Sequence, residues 1–166
     1  MLVNTQRFGQ LEIEEGRIIS FDEGIPGFEG LRKFVLIESD ETSTFMWLQS
    51  VEDQRLAFVV IVPGEFFAGY HLDLNDDDRR SLELRRPDEA AAFAIVVVPD
   101  DPREMTANLK APIVINVETR RAKQVIVNTK GYGLKHKLLG GTAPKRRPAR
   151  AGGGEDQPLL SVAVSK

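Results

Sequence analysis

Phe58-Val59-Val60-Ile61-Val62, closed by Pro63-Gly64, is the stretch that decides the fold class. Five consecutive β-branched or aromatic residues ending at a Pro-Gly break describe a strand buried on both faces, because they are too few for a helix and show no polar alternation. Phe93–Val98 repeats the pattern and is closed by Pro99. Working outward, the remaining runs are equally short. Leu2–Phe8 and Leu11–Glu15 flank Gly9-Gln10, a hairpin-like pair. Ile18–Phe21 follows Gly16, Gly24-Ile25-Pro26-Gly27 marks a tight turn, and Phe34–Glu38 and Phe45–Ser50 come next. Ile113–Val117 and Gln124–Val127 surround a polar turn at Glu118–Lys123. The expectation is a mainly β chain: a small antiparallel β-barrel-like domain, with a sandwich as the alternative, and one or two short helices.

One helix is legible. Asn75 is placed to cap it, Asp76–Asp78 put negative charge in its first turn, and Leu82 and Leu84 give it apolar contact before Pro87. The three aspartates lack the alternating acids and the later Glu of a calcium loop, so helix-start chemistry explains them.

The chain has 166 residues, 42% of them hydrophobic and 28% charged, enough for one well-buried core. No apolar run reaches the 18 or so residues of a membrane span, and the start MLVNTQRFGQ has no charged-then-apolar leader pattern. With no cysteine, disulfides, thiolate metal sites and thiol nucleophiles are excluded, and a cytoplasmic location is expected. The net charge of −3 is unevenly spread. Residues 140–166 carry five basic and two acidic side chains, which leaves 17 basic and 23 acidic in 1–139. That acidic body repels nucleic acid and membranes and suits a basic protein partner; mild acidity also serves solubility.

The composition breaks near Gly140. GGTAPKRRPARAGGGEDQP lacks large apolar residues and reads as a disordered tail, giving a folded domain over 1–139 and a tail over 140–166. A short apolar end, LLSVAV at 159–164, is available for docking. Within the tail, Lys145-Arg146-Arg147 with Arg150 is the one cluster that suggests a nucleic-acid-binding accessory protein as an alternative. No aromatic is interleaved to stack bases.

Catalytic signals are nearly absent. The two histidines, His71 and His136, stand in no metal-binding spacing, and neither a nucleophile elbow nor a phosphate-binding glycine loop is present. No enzyme activity, cofactor or metal is expected.

Three segments combine polar and apolar residues in a way generic core does not require: Gly24–Glu29 (GIPGFE), Trp47–Asp53 (WLQSVED) and Met105–Asn116 (MTANLKAPIVIN). Spacing alone also allows turn, core and strand edge. Together with LAFVV at 56–60, their order and wording resemble the FliW family of bacterial flagellar assembly factors, over about residues 2–138. Gln54 and Lys110 depart from the family pattern, and YGLKHKL at 132–138 is a loose version of its ending. The resemblance implies a β-barrel-like, non-enzymatic protein that binds flagellin in the cytoplasm. It also implies binding of CsrA, a small translational repressor, in a partner switch. Flagellin and CsrA would alternate on the protein, and capture of CsrA away from its RNA site would allosterically relieve repression of flagellin mRNA. No direct nucleic-acid or membrane binding and a monomeric state go with that reading. The partner-binding residues expected from it are Gln49, Val51, Glu52, Asp53, Met105, Thr106, Ala107, Asn108 and Asn116. An exposed strand edge receiving a flagellin segment is a further expectation, with no edge assigned.

Overall fold

A computed structural model describes residues 1–38, 44–138 and 161–163. In chain order the strands are β1 (Leu2–Thr5), β2 (Gly9–Glu12), β3 (Ile19–Phe21), β4 (Lys33–Glu38), β5 (Phe45–Ser50), β6 (Ala57–Ile61), β7 (Ala90–Val97), β8 (Thr106–Ala107), β9 (Ile113–Asn116), β10 (Arg121–Gln124), β11 (His136–Lys137) and β12 (Ser161–Ala163). The helix α1 (Asp76–Ser81) precedes β7.

The sheet runs β7-β6-β5-β4-β3-β10-β9, and β9 pairs back onto β7. That last pairing closes a seven-stranded barrel. Its pairings are antiparallel except β3 with β10, where Arg121 and Ala122 stand opposite Ser20 and Phe21. Closure pairs the strands edge to edge, and the ends of β4 and β7 that run past their ring neighbours are covered by β12 and β8.

Strand parity sorts the apolar residues into layers. Alternate positions of all seven strands, Phe21, Phe34, Leu48, Val60, Phe93 and Ile113 among them, meet in one interior cluster. The opposite parity is also buried wherever something covers the wall. Val35 and Ile37 lie under the β1–β2 hairpin with Val3 and Ile13. Ile61, Ala94 and Val96 pack against Phe66, Phe67, Leu109 and Leu138. Val114 packs on Leu82 beside α1 and on Val125 and Val127. This two-sided burial explains why FVLI, FVVIV and IVI read as continuous apolar runs rather than alternating ones.

The helix forms as its sequence dictates. Asn75 Oδ1 accepts from the Asp78 amide at 2.7 Å. The far end closes with Glu83 N–H on Arg80 O and Leu84 N–H on Arg79 O, a Schellman pair that holds Glu83 at φ +56°.

Two expectations need correction, and one strand lies where none was expected. The first hairpin turns at Gln6–Phe8, and Gly9-Gln10 belongs to β2: the Thr5 hydroxyl donates to Gly9 O and accepts from the Phe8 amide, which closes the turn earlier. The polar turn at 118–123 is shorter. Asn116 Oδ1 caps Glu118 and Thr119, so the strand resumes at Arg121. Within the segment expected to be disordered, Ser161–Ala163 form β12, parallel to Leu36–Glu38 of β4; the rest of 140–166, including the basic cluster, lies outside the described residues.

Candidate partner-binding surface

β5 delivers WLQSVED to the end of the sheet, and its polar side chains fold the β5–β6 turn. Gln49 is buried, and its Nε2 donates to Ser50 O and Leu56 O at 3.0 Å, with longer contacts to Asp53 O and Gln54 O. Ser50 Oγ accepts from the Glu52 and Asp53 amides at 3.0 and 2.9 Å. Glu52 Oε1 accepts from the Arg32 and Lys33 amides at 2.6 and 2.8 Å, which fixes the start of β4. Asp53 Oδ1 accepts from the Arg55 amide and Arg55 Nε, and these contacts, the backbone one first, hold its carboxyl below the usual carboxylate range.

Above this turn lies a concavity of about 440 Å³ lined by Gln6, Arg7, Trp47, Gln49, Gln54, Arg55 and Ala57. The Arg7 guanidinium sits 3.9 Å from the Trp47 ring centroid, so the sole tryptophan packs on the Val35/Ile37 cluster while a cation covers it.

The second segment arrives on β8, with Val97 opposite Thr106 and Val96 opposite Ala107. Ala107 is buried, and Met105 packs against the cluster around Ile61. Asn108 Oδ1 accepts from the Lys110 and Ala111 amides at 3.1 and 2.9 Å, an Asx turn that leaves its Nδ2 as the available group. Register places both segments toward one end of the sheet: Gln49 opposes Ala57, Val59 opposes Val96, and Val97 opposes Thr106. Between them stand Val97 and Val98, 61% and 51% exposed. These two valines were missed from sequence. The signal was there, since FAIVVV runs on past the last interior position before Pro99.

Asn116 does not join this end. It is fully buried on β9, opposite Ala90. Its Nδ2 donates to Leu82 O at 2.8 Å and Glu83 O at 3.3 Å, so it fastens the end of α1 to the barrel. Gln49 and Asn116 are therefore scaffold groups rather than groups open to a partner. Both histidines also serve local structure. His136 Nε2 accepts from the Gly133 amide at 2.7 Å, and the His71 amide donates to the Tyr132 hydroxyl.

A larger concavity, about 670 Å³, opens beneath α1 among Val62, Tyr70, Leu72, Leu74, Leu84 and Ala92. The Tyr70 hydroxyl is buried without a hydrogen-bond partner, and burial, helped by the neighbouring Tyr132, pushes its pKa up to about 12. Among the described residues no cluster of His, Cys, Asp and Glu is arranged to hold a metal, and no helix is long and apolar enough to cross a membrane.

The GIPGF segment adds a plug. Ile25 enters the barrel core, and Phe28 packs edge-on to Phe58. Gly24 has φ +70°, and a Cβ there would stand 2.6 Å from Glu29 Cα, so no other residue fits.

A body in which the three quoted motifs build one barrel end to end matches the model of the FliW protein family over residues 2–138. The chain belongs to the FliW family. Relatives named flagellar assembly factor FliW include one from Caldicellulosiruptor saccharolyticus, 44% identical over 83% of this chain and 90% of its own length. Another, from Bdellovibrio bacteriovorus, is 41% identical over 84% of this chain and 79% of its own length. A crystal structure of the flagellar assembly factor FliW superposes with a TM-score of 0.79 at 38% identity, covering 86% of this chain and all of that one. The FliW match ends at the close of β11, so β12 lies beyond it.

Proposed function

We propose that this chain is a non-enzymatic flagellar assembly factor of the cytoplasm that binds flagellin and antagonises the translational repressor CsrA. The observation that carries this reading is family membership over residues 2–138, with relatives of 40–45% identity named as flagellar assembly factors. In the proposed cycle flagellin occupies the protein while it is plentiful. Export of flagellin frees the protein to take CsrA away from its RNA by an allosteric route, and flagellin translation resumes.

The partner surface proposed for this cycle is the sheet end carrying Val51, Glu52 and Asp53, the exposed Val97-Val98 step, and Met105–Asn108. An apolar centre rimmed by polar groups is the usual anatomy of a protein–protein contact. Gln49 shapes that surface from beneath. The acidic body suits a partner that must itself be basic to hold RNA.

Titration calorimetry with purified flagellin and with CsrA tests the reading, followed by competition between the two. Each should bind alone, and each should lower the other's apparent affinity. Binding of neither would reject the proposal. A mobility shift of flagellin leader RNA by this protein alone, without CsrA, would instead favour the accessory nucleic-acid-binding alternative.

A further inference from the structure

Two barrel strands outrun their neighbours on one side, and the two are finished differently. β7 pairs with β9 over Ala90–Phe93, and the remainder of that side, Val96-Val97, is taken by β8, which β11 then covers. All of these strands lie within the span shared with the family. β4 pairs with β3 only at Lys33-Phe34, and beyond that point the same side of β4 is taken by β12, with Ser161, Val162 and Ala163 opposite Leu36, Ile37 and Glu38. That cover comes from outside the family span. Among the described residues of the shared body, no strand completes this side of β4.

Both faces of β4 are already spoken for, by the barrel interior and by the β1–β2 hairpin. What the uncompleted side offers is main-chain N–H and C=O groups, which recognise an extended segment by ladder hydrogen bonds and tolerate many side chains. The strand that fills it indicates the chemistry accepted there. Its residues, Ser161-Val162-Ala163, carry no charge and are small or β-branched.

We propose that the side of β4 at Leu36–Glu38, at the far end of the β4–β5 pair from the surface described above, is a second docking edge that takes an extended, uncharged segment of flagellin, and that the chain's own β12 occupies it as an internal competitor. The proposal rests on the flagellin reading above. A strand tethered to the same chain competes at an effective concentration on the order of millimolar, so flagellin must displace it before it can dock. The C-terminal strand thereby raises the flagellin level at which the protein fills.

The test uses the full chain. Val162→Pro removes a backbone donor and cannot sit in a ladder, whereas Val162→Ala keeps the backbone intact. Hydrogen exchange at Leu36 and Glu38, whose amides face β12, should quicken at least tenfold in Val162→Pro, with Ile37, β5 and β9 amides unchanged, and a synthetic peptide of residues 157–166 should restore the protection. Flagellin should bind Val162→Pro at least threefold more tightly than it binds the parent, and the peptide should compete. Val162→Ala should change neither by more than twofold. Unchanged exchange in Val162→Pro, or flagellin binding that is equal in both proteins and insensitive to the peptide, overturns the proposal. Flagellin bound by no form rejects the flagellin reading and the choice of partner with it; the exchange and peptide arms still decide whether the edge accepts a strand.

Discussion

Asn108 and Asn116 share a residue type and a segment, yet the structure gives them different work. Asn116 is fully buried with both ends of its amide bonded. Replacing it with Ala strands the Leu82 and Glu83 carbonyls and should cost about 1–3 kcal/mol, read by chemical denaturation. Asn108 uses only its carbonyl oxygen, on two amides of a surface turn. Asn108→Asp keeps that acceptor and removes the Nδ2 donor. Its melting should match the parent, while affinity for flagellin or CsrA falls about fivefold if Nδ2 meets a partner; an unchanged affinity for both would make the residue scaffold. Tyr70 supplies a third residue-scale expectation. Its pKa of about 12 lies above the ordinary tyrosine value of 10.0, so the folded state holds the phenolic proton more tightly than the unfolded state does. The stability linked to that proton is therefore complete below pH 10 and is lost as pH rises from 10 toward 12. In a titration of tyrosinate absorbance, one of the two tyrosines should ionise only near pH 12, and Tyr70→Phe should abolish that late step.

At the scale of elements, β9 carries the clearest expectation. Ile113 and Ile115 face the barrel interior, and Val114 between them is buried against Leu82 and Val125. Cutting Ile113 or Ile115 to Ala should cost about 2–5 kcal/mol, measured as a fall in denaturation midpoint without a change in slope. The Ile113/Ile115 parity was legible from sequence, because alternation fixes which residues share a face. Burial of Val114 was not, since the cover comes from α1 and the 125–127 segment, far off in the chain. The helix start was legible to the residue, because capping is local chemistry written into Asn75 and the aspartates; its end was not, since the Schellman turn at Glu83 stops it at Ser81, short of Leu84 and Pro87. β8 and β11 were missed. Two-residue strands exist only through the neighbour they pair with, and no periodicity precedes that pairing. For the same reason the WLQSVED and MTANLKAPIVIN segments were recognisable as motifs, while the roles of Gln49 and Glu52 in holding other backbones were not.

The whole molecule inherits its charge distribution from the sequence, with 17 basic against 23 acidic residues in 1–139. Attraction to a basic repressor should therefore weaken between low and near-physiological salt more steeply than attraction to flagellin does. Equal slopes would remove the electrostatic argument and leave family membership standing. The expected division at Gly140 is tested by truncation after Leu139, which should retain cooperative melting because β12 sits outside the closed ring of seven strands. Loss of that transition would make the C-terminal segment part of the domain.

The parallel pair in that ring has a consequence in time as well as space. β3 and β10 are joined although Ser20 and Arg121 stand 101 positions apart. On the ribosome the early strands can assemble as hairpins while β3 waits for a partner not yet made. The nascent chain thus stays an open sheet until β10 emerges, roughly 5–20 s after β3 at about 5–20 residues per second. During that interval one rim of β3 is available to any other extended chain nearby. Paused nascent chains longer than about 160 residues should resist protease, allowing for some 30 residues inside the exit tunnel, whereas chains ending before β10 should not.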